Sequence, residues 1–338
     1  MTRRVIILMV AVFALFGCAK KSTAWQETHR LSLSWAVPLV GEPNDMCLGS
    51  NSLYVAEDQG GFSIINLTDY TRKWYTSLKA MDGSTTALIK IRKIAVVEPR
   101  NRLFINETDG TDLIRIIDTS DPDTLKDTIP ITGATADIKD MKFYNIPNPV
   151  DQFTIEGMFS AGRTLRIGVY DGVANVWFGI TQEINCSATA NGFDVNATHI
   201  FVAVEQRGLA IYNRTTAALV GTVDLPGEAQ RVKVVGNFAY VACRQSGLWI
   251  VDISNPAAPV RVTGYDTSGY ASNLDIRDHY LALSSGGGGV YLFDITSPLN
   301  PVLIDHLTSC GYANLVKFHQ NKLMVASRDY GILIYNFQ

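Results

Sequence analysis

The sequence predicts an all-β chain: one seven-bladed β-propeller of four-stranded antiparallel blades, closed by an N-terminal strand that completes the last blade. Three observations lead there. An apolar-rich strand that stops at Asp or Asn returns seven times, closing at Asn66, Asp118, Asp171, Asn213, Asp252, Asp294 and Asn336. The stops lie 52, 53, 42, 39, 42 and 42 residues apart, a period that one propeller blade fills when strands alone occupy it. The last unit ends after three strands, at Asn336-Phe337-Gln338, whereas residues 31–40 offer an alternating, Pro-interrupted strand ahead of the first unit. A three-stranded last blade would leave an open edge, which pairing the two chain ends removes.

The unit at residues 227–266 shows each element in order. Residues 231–235 alternate in side-chain character, as a short strand does. Gly236-Asn237 is a hairpin signal because both residues tolerate positive φ. Residues 238–242 form the second strand and 248–252 the third. Asp252 can close a turn onto the backbone ahead. Pro256 and Pro259 stop the chain from extending, and 260–265 is the outermost strand. The next unit repeats the order: 274–276, turn Arg277-Asp278, 280–283, 290–294 and 302–306. Between its second and third strands, the glycine run 286–289 reads as a floppy surface loop.

Tyr240-Val241-Ala242, the run from Gly247 through Asp252 to Pro259, and Gly269-Tyr270-Ala271 resemble the LVIVD-repeat family of bacterial and archaeal surface β-propellers. The resemblance is specific over 181–338 and looser over 41–180, where the loops lengthen at 146–149 and 156–162. It implies a propeller at the cell surface and supplies no reaction. WD40, kelch and quinoprotein signatures are absent.

The N-terminus reads as a lipoprotein signal peptide over residues 1–17. Arg3 and Arg4 precede an apolar run from Val5 to Phe16, too short to span a bilayer, which takes about 20 residues. Leu15-Phe16-Gly17-Cys18 resembles the lipobox of bacterial lipoproteins, although Phe16 is bulkier than that family usually places there. The resemblance implies lipidation of Cys18, and Ala19 after it favours the outer membrane. Residues 18–29 then form a lipid-anchored tether, and 30–338 the single propeller. About ten residues between Cys18 and the closing strand reach no more than about 35 Å, which holds the propeller near its membrane.

Net charge is −3, with no Lys/Arg run, so nothing attracts nucleic acid. Cys47, Cys186, Cys243 and Cys310 form no C-x-x-C pair, which argues against zinc or redox chemistry. They are read as buried thiols; Cys186–Cys243 and Cys47–Cys310 disulfides between adjacent blades stay open. Trp25, Trp35, Trp74, Trp177 and Trp249 lack repeated spacing, and most are assigned to packing between blades.

Three constellations carry functional expectations. Aligned inner strands centre on Cys47, Ala95, Lys142, Asp194, Lys233, Asp275 and Lys317. Five successive blades alternate in sign, a channel charge ring that fixes blade register or else holds a small ion or ligand. The loops entering the inner strands, together with those joining strands two and three, form a binding face. It gathers Glu57, Asp58, Glu107, Asp109, Arg207, Arg244, Tyr270, Tyr312 and Arg328, with Asp329. Tyr and Arg are common interface anchors. The acidic group there is a weak candidate for Ca²⁺, with no calcium-loop spacing; no other cofactor is implied. Asp45, Asp140, Asn191 and Asn273 precede inner strands and could imitate the metal site of lactonase-type propellers, but Lys93 and Arg231 at equivalent positions oppose a cation. No G-x-S-x-G or H-E-x-x-H motif occurs. The histidines scatter over the opposite face and an outer strand. The reading is a membrane-anchored envelope scaffold that binds proteins or surface ligands. The alternatives are a metal-dependent hydrolase at the channel mouth and a small-ligand sensor in the channel.

Overall fold

The structure is a computed structural model and describes residues 30–80, 82–108, 112–130, 138–145, 154–171, 174 and 176–337. The signal segment, Cys18, the tether, Trp25, Asp109 and the 146–149 loop lie outside the described residues. Those described hold no α-helix, only strands and two single 3₁₀ turns at Glu98–Arg100 and Glu205–Arg207. No helix among them is long and apolar enough to cross a membrane.

The strands form seven sheets. After β1 (Leu31–Val37), blade 1 is β2 (Asp45–Leu48), β3 (Ser52–Ala56), β4 (Phe62–Asn66) and β5 (Arg72–Tyr75). The short hairpin β6 (Ser77–Lys79) and β7 (Thr85–Ala87) follows. Blade 2 is β8 (Ile91–Val97), β9 (Arg102–Thr108), β10 (Asp112–Asp118) and β11 (Asp121–Pro130). Blade 3 is β12 (Ile138–Asn145), β13 (Thr154–Ala161), β14 (Thr164–Asp171) and β15 (Val176–Asn185). Blade 4 is β16 (Ala190–Val195), β17 (His199–Val204), β18 (Leu209–Asn213) and β19 (Leu219–Val223). Blade 5 is β20 (Arg231–Val235), β21 (Phe238–Ala242), β22 (Leu248–Asp252) and β23 (Val260–Tyr265). Blade 6 is β24 (Asn273–Arg277), β25 (Tyr280–Ser284), β26 (Val290–Asp294) and β27 (Val302–Leu307). Blade 7 is β28 (Ala313–His319), β29 (Lys322–Ser327) and β30 (Gly331–Phe337), completed by β1.

The closure is the one expected from the sequence. β1 pairs antiparallel with β30 from Leu31↔Phe337 to Val37↔Ile332, with a register shift between Leu33 and Trp35. One element was not legible. The β6–β7 hairpin joins β11 through the single parallel pair Thr124↔Lys79, so blade 2 belongs to a six-stranded sheet.

The apolar side chains of the described residues divide into seven clusters, each shared by two neighbouring blades. Phe62 and Ile94 meet between blades 1 and 2, Phe104 and Phe143 between 2 and 3, Leu165 and Phe193 between 3 and 4. Ile211 and Val232 meet between 4 and 5, Ile250 and Leu274 between 5 and 6, Leu292 and Val316 between 6 and 7, and Ile334 and Leu53 between 7 and 1. Each blade is a sheet with two apolar faces and must bury both, which a closed ring accomplishes.

The strand-ending Asp and Asn residues act as the repeat pattern implies. Asp252 accepts the Ser254 N–H at 2.8 Å, Asp294 the Thr296 N–H at 2.8 Å, Asp118 the Ser120 N–H at 2.9 Å and Asn66 the Thr68 N–H at 2.7 Å. Each caps the turn that starts the outer strand.

Two expectations are corrected. The 286–289 run is not floppy. Ser285 N–H bonds Gly289 O at 2.8 Å, and a Cβ on Gly288 or Gly289 would fall 1.8 Å from Ser268 O or 1.9 Å from Leu307 O. Glycine is there because backbone from neighbouring segments fills the space. Nor do most of the described tryptophans pack between blades: Trp35 and Trp74 are about half exposed on outer strands, and Trp35 stacks on Tyr70 at 5.9 Å. Trp177 and Trp249 do pack against inter-blade clusters.

Candidate functional site: the channel and the loop face

Inner strands of successive blades lie side by side around the channel, including those of blades 7 and 1. A cavity of about 270 Å³ between them is lined by Cys47, Ala95, Lys142, Lys233 and Lys317, among others, as the aligned sequence implies. The alternating charges sort into pairs. Lys142 Nζ lies 3.2 Å from Asp194, and Lys233 Nζ lies 3.5 Å from Asp275. Lys317 has no carboxylate within ion-pair distance among the described residues and borders the uncharged side at Cys47 and Ala95.

The carboxylates do a second job, which sequence reasoning missed. Each bonds the backbone of the next blade. Asp45 accepts Ile94 N–H at 3.2 Å, Asp140 accepts Phe193 N–H at 3.0 Å, and Asp194 accepts Val234 N–H at 2.9 Å. Asn273 Oδ1 accepts Val316 N–H at 3.1 Å and Asp275 accepts Phe318 N–H at 2.9 Å. These bonds run from one blade to the next in a constant direction and staple the ring from inside. The charged acceptors make the four aspartate bonds stronger than the neutral one at Asn273. Burial raises the Asp140 carboxyl, but Arg231, Lys142, the Phe193 N–H and Lys93 outweigh it, and the group ends below the usual range.

This use of polar atoms bears on the hydrolase alternative. Asp45, Asp140 and Asn273 spend oxygens on blade-to-blade bonds, and Asn191 Nδ2 donates to Ala229 O at 2.9 Å. Among the described residues no cluster of three or more His, Cys, Asp or Glu is arranged to hold a metal. The four described cysteines offer no ready nucleophile. All four are free thiols. Burial, then Asp45, pushes Cys47 well up against the opposing pull of Lys317. Burial raises Cys243 to about 12 and raises Cys186 and Cys310 too, so the thiolate is disfavoured.

The expected binding face divides in two. Glu57 and Glu107 are buried and do not face solvent. Glu57 forms an ion pair with Arg72 at 2.8 Å and accepts Val40 N–H at 3.0 Å. Glu107 pairs with Arg115 and accepts Ile89 N–H at 2.8 Å. Both are internal struts, with their carboxylates spent on Arg72, Arg115 and backbone N–H groups. Asp58 is half-buried, 3.6 Å from Arg92 Nε and 3.2 Å from Asn44 Nδ2.

The basic and aromatic members do reach the surface. Arg207, Arg244, Tyr270, Arg328 and Asp329 are exposed and Tyr312 is half-buried. Arg244 lies over the Tyr270 ring at 5.9 Å and pairs with Glu228. Arg328 lies over Tyr312 at 4.7 Å and 3.4 Å from Glu42. A repeated backbone rivet sets these positions. The loop between the second and third strands bridges to the start of the next inner strand at Asp58↔Ile91, Arg244↔Ala271 and Gly286↔Ala313. The rivet residue has positive φ: 48° at Asp58, 40° at Arg244 and 53° at Gly286. Glycine takes that conformation freely, whereas other residues pay about 1–2 kcal/mol. At Gly286 the freed space admits the Tyr312 ring, whose hydroxyl would lie 3.0 Å from an added Cβ.

Residues 226–267 match the family model for the LVIVD repeat. No curated protein sequence matches the chain. Solved structures match over nearly its full length at low identity. The WD40 β-propeller domain of Doa1 has a TM-score of 0.68 at 10% identity, covering 91% of this chain and 97% of its own. A chain of a mitotic checkpoint complex gives 0.68 at 12%, covering 91% and 96%. The computationally designed Ika8 protein gives 0.60 at 11%, covering 89% and 99%. At such identities these likenesses speak for the fold alone. The chain is a seven-bladed β-propeller whose fifth blade carries an LVIVD repeat.

Proposed function

We propose that the chain is a protein-binding module of the cell envelope that docks its partner on the loop face of blades 5 to 7. One observation carries this reading. Arg244 holds a left-handed backbone, φ 40°, where glycine would cost less, and spreads its guanidinium over the exposed ring of Tyr270. Strain kept at an exposed charged residue points to use. Arg328 on Tyr312 supplies a second Arg–Tyr stack on the same face. Such stacks offer planar donors and apolar area with little conformational freedom left to lose on binding. The envelope location rests on the basic residues Arg3 and Arg4, the apolar run behind them and the Leu15-Phe16-Gly17-Cys18 motif.

The test compares proteins co-purifying from envelope extract with wild type and with the Arg244→Ala/Arg328→Ala double variant. We expect the unfolding free energy to stay within about 0.5 kcal/mol of wild type, because the side chains are exposed. Partner recovery should drop about tenfold or more, as befits two anchors worth over 1 kcal/mol each. Full recovery of the same partners by the double variant would overturn the reading. Cys18→Ala in the same preparation should shift the chain to the soluble fraction; continued membrane association would refute the lipid tether.

A further inference from the structure

We propose that the mouth of the channel on the loop face is a binding site for a small oxyanion, a phosphate or a short dicarboxylate. A cavity of about 200 Å³ opens there. Its lining includes Arg92 and Lys93 from blade 2, Lys139 from blade 3 and Arg231 from blade 5, and no carboxylate. Four cations from three blades therefore converge on one concavity of a chain whose net charge is −3.

Two of these cations have capacity to spare. Lys93 has no hydrogen-bond acceptor among the described residues. Burial, with Arg231 and Lys139 beside it, depresses its ammonium against the opposing pull of Asp45 and Asp140. Arg92 Nε is buried without a hydrogen-bond partner, 3.6 Å from Asp58. Arg231 is fixed in place. Its Nη1 donates to Gln230 O at 2.9 Å and also to Asn191 O, and its Nη2 donates to Lys139 O at 2.8 Å. Gly192 clears its path, since a Cβ there would lie 2.8 Å from Arg231 Cδ. The guanidinium thus spans blades 5, 4 and 3 with its charge held at the mouth.

A rivet between blades needs only Arg231. It does not need Arg92 and Lys93 opposite it, crowding like charge into a half-buried space. Of the carboxylates nearby, Asp58 lies 3.6 Å from Arg92 Nε and outside the lining, while Asp45 and Asp140 border the deeper cavity and already accept backbone N–H groups. An anion at the mouth would satisfy the unpartnered donors and offset the repulsion, as oriented donors at a concave site do. The size fits a small ligand, because pockets for drug-sized molecules run from about 300 to 1,000 Å³. Asn191 and Gln230 add neutral polar groups at the rim.

The test is isothermal titration of the detergent-solubilised full chain with inorganic phosphate and, separately, with succinate. Both arms use a phosphate-free buffer at fixed ionic strength set by chloride. We expect saturable one-site heat for at least one anion, and the arm that gives it identifies the class. Lys93→Met should weaken binding about tenfold or more, while Lys73→Met, an exposed cation on β5, should leave it unchanged. Free of anion, Lys93→Met should melt no lower than wild type. If it does not fold, Arg92→Gln takes its place with the same expectation. No saturable heat from either anion, or equal affinity in the mouth variant and the β5 control, would overturn the proposal.

Discussion

At the residue scale, charged side chains fall into struts and displays, and sequence position does not separate them. Glu57 is a strut, with no exposed surface and a neighbourhood that includes Arg72, Ser63 and the Val40 N–H. Glu57→Gln should destabilise the protein by about 3–5 kcal/mol, because Arg72 loses its buried carboxylate partner. Urea unfolding would show it, and a change below about 1 kcal/mol would mean that the carboxylate contributes little. Asp140 predicts a pH effect. Its folded pKa is lowered, so the stability it contributes is present above the ordinary carboxylate value near 4 and fades as pH falls through the native value. Asp140→Asn should flatten the fall in stability below about pH 4 and lower the plateau at pH 7, read from urea midpoints across pH. Loops beside strands were legible in the sequence, but the inward turn of Glu57 and Glu107 was not. The signal on offer was Arg115, a lone charge within the apolar stretch of β10 that needed a buried counter-ion.

At the element scale, legibility followed how often a physical constraint recurs. Strands that stop at Asp or Asn recur in every unit, and the turn bonds accepted by Asp118, Asp252 and Asp294 bear out their role. The inner-strand positions were legible because a period-two pattern fixes which side chains face the channel; Lys142, Lys233 and Lys317 all line it. Elements outside the repeat left weaker traces. The β6–β7 hairpin sits within one of the two longest spacings and is held by one bridge, the Lys79–Asp123 ion pair at 2.7 Å and a single core side chain, Leu78. So few constraints impose no pattern on composition. The 286–289 loop misled for the opposite reason. Glycines that permit motion and glycines that permit close packing look alike in sequence, and only Ser268 O and Leu307 O against the backbone decide between them.

At the scale of the whole molecule, the ring is a set of inter-blade layers in which the last layer differs from the rest. Elsewhere, neighbouring blades follow each other along the chain, so joining them closes only a short loop. Blades 7 and 1 are joined through β1, whose two ends serve two different layers: Leu31 is buried in the cluster of blades 6 and 7, Val37 in that of blades 7 and 1. Removing residues 30–40 would uncover the β30 edge and take an apolar side chain from each of those layers. A repeat array open at one seam can fray from its ends, whereas a closed one must break an interface before any blade separates. The deletion should therefore broaden urea unfolding, lower its m-value and drive association through the exposed edge, visible as faster sedimenting species. Val37→Asp should act in the same direction without shortening the chain, by burying a charge that has no partner. A deletion variant that stays monomeric with an unchanged m-value would mean that the neighbouring inner strands β28 and β2 hold the seam without β1.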